Sequence, residues 1–136
     1  MSSHTTQDLL PGVDYNHKRD HHTRRSGKSL WTIACPEEEG VFVHAYTTSR
    51  RNTTAWGMHV QKAAPSYLGL SASGRRVFVA KFVTATGYPV WHGYPADHVA
   101  HAQDKPPPDI LTGWNHSGIL PTAKMRKLER GQPCNL

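Results

Sequence analysis

The sequence is poor in cysteine and contains no long apolar run. Its 136 residues include two cysteines, Cys35 and Cys134, which excludes a disulfide-dense scaffold and a four-cysteine zinc site. No apolar stretch approaches the roughly 18 residues that a membrane-spanning helix needs. The first residues also lack the basic start and apolar stretch of a secretory signal. We therefore expect a cytoplasmic protein with no membrane partner and with both thiols reduced.

Several catalytic and nucleotide-binding motifs are missing as well. The chain has no Walker A, dinucleotide-binding, zinc-protease, nucleophile-elbow or CxxC motif. The sequence therefore predicts no cofactor, and it leaves open whether the protein is an enzyme.

Positive charge is the main feature that the sequence has in excess. Sixteen Lys and Arg residues against ten Asp and Glu residues give a formal net charge of +6. Some of these cations form doublets, such as Arg50-Arg51 and Arg75-Arg76. A balance of this kind favours a polyanionic partner, either nucleic acid or an acidic protein.

The chain divides into two regions of different composition. Residues 1–28 form a basic, His-rich tail with few apolar residues, which predicts an irregular segment. Leu9, Leu10 and Tyr15 are its candidate anchors against the domain or a partner. Residues 29–136 are predicted to form a single α+β domain, in which an antiparallel sheet of four or five strands precedes C-terminal helices.

Short runs of β-branched and aromatic residues between turn signals predict the strands. They fall at residues 29–34, 41–47, 53–60, 76–83 and 88–94. Helices are predicted at residues 95–101, 109–116 and 121–130. The expected core comprises Trp31, Ile33, Val41, Val43, Trp56, Met58, Val77, Phe78, Val79, Phe82 and Leu128.

The tail histidines allow a metal-binding interpretation. Asp14, His17 and His21 would align on one side of a helix and could bind zinc or copper. A solvated polar tail explains the same residues more simply, so we predict no metal site.

Two pairs of residues suggest acid–base chemistry. His44 and His59 lie on predicted strands, where two imidazoles on one sheet face could act as in metal-independent ribonucleases. Asp97 and His101 are four residues apart on a predicted helix, so the carboxylate could orient the imidazole. Ordinary structural roles are the favoured alternative for both pairs.

The strongest candidate site is the segment of residues 87–98. Trp91 and Tyr94 could sandwich a base while His92 acts as an acid or a base, and Gly93 would let a ligand approach the main chain. The simpler alternative is a segment that covers the core, in which Trp91 fills volume. The candidate catalytic residues are His92, His98 and Asp97.

The last predicted helix has one cationic side. At about 100° per residue, Lys124, Arg126, Lys127 and Arg130 fall within an arc of about 160°. Met125 and Leu128 lie opposite and are expected to dock on the domain.

Together these features favour a nucleic-acid-binding protein, with RNA or single strands preferred because aromatic residues are interleaved with cations. The predicted binding residues are Arg50, Arg51, Arg75, Arg76, Trp91, Tyr94, Lys124, Arg126, Lys127 and Arg130. One alternative is a protein-interaction or structural subunit of a phage or bacterial assembly that docks through its tail. A second alternative is a small His-dependent nuclease.

Overall fold

The computed structural model describes residues 10–18, 21–23, 27–85 and 90–135. Leu9 and residues 87–89 of the candidate site segment lie outside these ranges. Within them the chain has an α+β fold with largely antiparallel strands. The strands are β1 (Asp14–Tyr15), β2 (Leu30–Trp31), β3 (Arg50–Arg51), β4 (Thr54–Gly57), β5 (His59–Gln61), β6 (Ala64–Ser66), β7 (Gly69–Leu70), β8 (Arg76–Val77), β9 (Ala80–Val83) and β10 (Val90–Pro95). The helices are α1 (Cys35–Thr48), α2 (Pro108–His116) and α3 (Thr122–Glu129).

The largest sheet has five strands in the order β1-β10-β9-β4-β3. Its central strand, β9, pairs antiparallel with both β10 and β4, as expected from the apolar segment 76–83. Only the second half of that segment enters this sheet, because β8 pairs with β7 in a three-stranded sheet with β2. The segment 53–60 is also divided, between β4 and β5, and β5 pairs only with β6 among the described strands.

The helix α1 corrects the strand predicted over residues 41–47. It buries Glu38, Val41, Phe42 and Ala45, which have the i, i+3, i+4, i+7 spacing of one helix face. Pro36 lies in the first turn, and the Ala34 N–H donates to Glu37 Oε1 at 3.1 Å, so the local sequence supports a helix start. The strand propensity of this segment is overridden by packing, because side-chain context outweighs intrinsic preference.

The two C-terminal helices agree with the sequence prediction, but the helix at residues 95–101 is wrong. Residues 98–100 form a turn, in which the Asp97 carboxylate accepts the N–H groups of Val99 and Ala100. An aspartate that binds nearby backbone N–H groups favours a turn over a helix interior. In the described part of the chain, no helix has the length and apolar character needed to cross a membrane.

Two apolar clusters lie on opposite faces of the central sheet. Successive side chains of a strand alternate between faces, and accordingly Ala55 joins the first cluster while Trp56 joins the second. Rings of the first cluster surround Phe42, whose centroid lies 4.8 Å from that of Tyr15 and 5.3 Å from that of Phe82. The second cluster is covered by α2 and α3. Nine of the eleven predicted core residues are buried, and Ile33 and Val43 are half-buried.

The described part of the N-terminal segment packs on the domain. The strand β1 runs parallel to β10, with Asp14 opposite Val90 and Tyr15 opposite Trp91. Tyr15 is fully buried and Leu10 packs against the same cluster, in agreement with their predicted anchoring. The helical alignment of Asp14 with the tail histidines is wrong, because Asp14 lies in a strand.

Candidate nucleic-acid interface

The aromatic candidate segment forms β10, and its side chains alternate between the two sheet faces. Trp91 is 3% exposed and belongs to the first core cluster, with its ring centroid 5.6 Å from that of Tyr46. Tyr94 lies on the opposite face, where its hydroxyl donates a hydrogen bond to Asp104 Oδ1 at 2.8 Å. Trp91 and Tyr94 therefore cannot sandwich a base. The simpler alternative, in which Trp91 fills volume, describes its position.

Gly93 does not open an approach to the main chain. A Cβ atom at this position would lie 2.2 Å from Phe82 Cδ1, so the core ring already occupies the space. The neighbouring His92 is half-buried. Burial lowers the pKa of His92, and the positive charges of Lys18 and His21 lower it further. The fold thus favours the neutral imidazole.

The two predicted acid–base pairs are not formed. The Asp97 carboxylate accepts a hydrogen bond from the Arg75 guanidinium at 2.9 Å. The hydrogen bond between Asp97 and His101 runs from the backbone N–H of His101 to the backbone oxygen of Asp97. His44 lies exposed on α1 rather than on a strand, because residues 41–47 are helical. It therefore shares no sheet face with His59, whose Nε2 lies 3.4 Å from Glu37 Oε2.

Three distant parts of the chain meet around one pocket of about 110 Å³. It is lined by the doublet Arg75-Arg76, by Asp97 and His98, and by the segment that follows α3. His98 holds the segment that follows α3 at the pocket, because its Nε2 lies 2.6 Å from the backbone oxygen of Gln132. Asp97 and His98 thus share one site, whereas His92 does not line it.

Arg76 extends this surface to an exposed aromatic ring. Its guanidinium carbon lies 4.9 Å from the centroid of Tyr67, which is 38% exposed. Arg76 and Phe78 line both the pocket described above and a wider concavity of about 730 Å³, where Lys62 is a neighbour. The prediction missed Tyr67 because residues 61–74 show no clear strand or helix period.

The other predicted arginine doublet is already partnered within the fold. The Arg50 guanidinium lies 4.3 Å over the Tyr46 ring and donates a hydrogen bond to its hydroxyl at 2.8 Å. Arg51 forms an ion pair with Asp109. These contacts leave each arginine with less positive charge and fewer N–H groups for binding a phosphate.

The helix α3 has the predicted division into two sides. Leu128 is buried and Met125 is half-buried, both in the second core cluster. The opposite side carries the exposed cations Arg126, Lys127 and Arg130, with Lys124 half-buried. A wide cationic face is therefore open to solvent.

A cluster of polar side chains at the start of α1 was not predicted. It contains His17, His22, Cys35 and Glu38, whose potential ligand atoms all lie within 4.8 Å of one another. The available signal was the Cys-x-x-Glu spacing, which places both side chains near each other only if residues 35–40 are helical. Because residues 35–40 lie between two predicted strands, the spacing did not indicate a shared site.

Titratable groups perturb one another in this cluster. Burial acts to lower the pKa of His17, but the close carboxylates of Glu38 and Glu39 outweigh that effect and raise the pKa. Burial raises the pKa of Cys35, and the charges of both glutamates raise it further. Cys35 is therefore not an activated thiolate nucleophile in the metal-free protein.

Fold and surface together define a small α+β protein that exposes an arginine–tyrosine contact and the cationic side of one helix. Comparison of the chain with models of known families, with curated proteins and with solved structures found no match. Its function is therefore inferred from the residues that this surface exposes.

Proposed function

We propose that the protein binds nucleic acid, with RNA or single strands preferred, through Tyr67, Arg76 and the cationic face of α3. Arg75 is ion-paired with Asp97, as Arg51 is with Asp109, and is left out of this surface. The observation that carries the proposal is the exposed Tyr67 ring beneath the Arg76 guanidinium, on the wall of the wider concavity. Exposed aromatic rings stack with unpaired bases, and arginine adds a cation–π contribution. A base inside a duplex cannot reach such a ring, which supports the preference for single strands.

Phosphate contacts supply the rest of the binding energy. Arg126, Lys127 and Arg130 are exposed on one helix face, and the chain carries a formal net charge of +6. Cations that neutralise phosphates release counterions, so affinity falls with rising salt concentration.

Fluorescence anisotropy with a short labelled single-stranded RNA, repeated over a series of salt concentrations, tests the proposal. We expect Tyr67→Ala to weaken binding by about 5- to 150-fold, since base stacking is worth about 1–3 kcal/mol. We expect Arg76→Gln to reduce the salt slope by up to about 0.7, the value for one phosphate contact on a single strand. Arg50→Gln is the matched control, because Arg50 also stacks on a tyrosine, and it should leave the affinity nearly unchanged.

Absence of binding at low salt, or an affinity independent of salt, contradicts the proposal. Either result favours the protein-interaction alternative, for which Val60 and Tyr67 are suited because they are 40% and 38% exposed. The same samples, incubated with and without divalent metal, test the nuclease alternative: intact RNA throughout argues against it.

A further inference from the structure

The N-terminal segment and the first turn of α1 bring four metal-ligating side chains to one buried point. His17 and His22 come from the segment, and Cys35 and Glu38 come from the helix. Glu38 is fully buried, and the His17 side chain is 7% exposed. A buried carboxylate costs several kcal/mol unless its charge is compensated, so Glu38 requires a positive partner, which is either a protonated imidazole of the cluster or a bound cation.

The hydrogen bonds of the cluster leave its centre unsatisfied. His17 Nδ1 and His22 Nε2 lie 3.1 Å and 2.8 Å from the same oxygen, Glu38 Oε1. None of these three buried atoms makes a hydrogen bond of acceptable geometry. His17 Nε2 lies 2.9 Å from Glu39 Oε2, so a neutral His17 that donates there directs the lone pair of Nδ1 at Glu38. In that protonation state two lone pairs face one another beside the buried Glu38, and a bound cation removes this conflict.

We propose that His17, His22, Cys35 and Glu38 bind one zinc ion, which fastens the N-terminal segment to α1. Two imidazole nitrogens, a thiolate and a carboxylate are all zinc ligands, and four protein ligands complete the closed tetrahedral shell of a structural site. Zinc bonds of about 2.0–2.3 Å place tetrahedral ligand atoms about 3.3–3.8 Å apart. The potential ligand atoms of this cluster lie within 4.8 Å of one another, so zinc binding requires only small movements of these side chains.

Outer contacts already orient two of the ligands. Glu39 accepts from the far nitrogen of His17, which selects the tautomer that presents Nδ1 to the metal. The Tyr15 hydroxyl donates to the second oxygen of Glu38, leaving Oε1 for the metal. Such hydrogen-bonded partners are characteristic of metal sites, where they fix the tautomer and the orientation of each ligand.

Zinc uptake by the full chain, stripped with a chelator and titrated with zinc chloride, provides the first measurement. We expect one ion per chain with a dissociation constant below about 1 µM, since structural zinc sites bind tightly near neutral pH. Bound zinc should raise the melting temperature, because it binds the folded state. If the cluster is only a network of imidazolium–carboxylate pairs, zinc will neither bind stoichiometrically nor raise the melting temperature, and the proposal is overturned.

Cobalt substitution then identifies the ligands. Tetrahedral Co²⁺ with a thiolate ligand gives strong visible bands and a near-ultraviolet sulfur-to-metal charge-transfer band. We expect Cys35→Ser to abolish the charge-transfer band and Cys134→Ser, the matched control at the other free thiol, to retain it. His22→Gln should weaken zinc binding by more than about 100-fold, and Glu39→Gln by about 10- to 100-fold, because Glu39 only orients His17.

A charge-transfer band that survives Cys35→Ser overturns the assignment. If circular dichroism shows that this variant does not fold, X-ray absorption at the zinc edge of the wild-type protein decides. A shell of one sulfur and three nitrogen or oxygen atoms supports the site, and a shell without sulfur contradicts it. None of these readouts depends on nucleic-acid binding.

Discussion

At the scale of single residues, Trp91 and Tyr67 differ in burial, so truncating each ring should have a different effect. Trp91 is 3% exposed, and its ring contacts Phe42 and Tyr46 of α1. Truncating a buried aromatic ring removes its contacts and leaves a cavity that the fold only partly fills. We therefore expect Trp91→Ala to lower the free energy of unfolding by about 3–5 kcal/mol.

Chemical denaturation of Trp91→Ala and Tyr67→Ala side by side checks this prediction. Tyr67→Ala should unfold nearly as the wild type does, because its ring is partly in solvent. If Trp91→Ala has normal stability but binds RNA more weakly, Trp91 acts in binding and not in core packing, and the prediction is wrong.

At the scale of elements, α1 packs closely against a strand, whereas α3 leaves one charged side in solvent. The helix α1 packs on β4 so closely that a Cβ atom at Gly57 would lie 3.0 Å from Val41 Cγ1. The helix α3 contributes Leu128 to the core and leaves its cationic side in solvent. Changes to that side should therefore affect binding and not folding.

Replacing the four cations of α3 by glutamine tests its role in binding. Glutamine keeps helix propensity, so Lys124→Gln, Arg126→Gln, Lys127→Gln and Arg130→Gln together should reduce stability by at most about 1 kcal/mol. Each lost phosphate contact should reduce the salt slope by about 0.7 on single strands and about 0.9 on duplex DNA. Anisotropy measured over a salt series gives the slope, and an unchanged slope would place the phosphate-binding surface elsewhere.

At the scale of the whole molecule, the stability of the fold should depend on pH through His92. Burial and the charges of Lys18 and His21 lower the pKa of His92, while the unfolded chain titrates near about 6.5. As the pH falls through about 6.5, the unfolded state takes up a proton before the folded state does. The contribution of His92 to stability is therefore complete above that pH and declines below it.

The variant His92→Gln removes this titration. We expect the free energy of unfolding of the variant, relative to wild type, to rise as the pH is lowered from 8 to 5. Urea denaturation at each pH, with a chelator in all samples, measures the difference. If the free energies of unfolding of the two proteins change in parallel with pH, His92 has the same pKa in the folded and unfolded states and the prediction is wrong.

The sequence by itself determined the α+β class, both C-terminal helices and most of the core. These features have local causes. Pro108 lies in the first turn of α2, and Gly118 and Gly131 follow α2 and α3 with positive φ angles of 84° and 69°. The strand β9 has an apolar run that fits a central position. Each signal lies within a few residues of the structure that it predicts.

Only the tertiary structure decided what residues 41–47 form and which side chains meet. Val41 and Ala45 fit one face of a strand as well as one face of a helix, and burial of Phe42 beside them selected the helix. That choice brought Cys35 and Glu38 together with His17 and His22. Arg76 lies near Tyr67 because β7 pairs with β8, and the packing of α3 brings the segment that follows it to the same pocket as Arg76. Contacts between residues far apart in the chain depend on how whole elements pack, which no short stretch of sequence encodes.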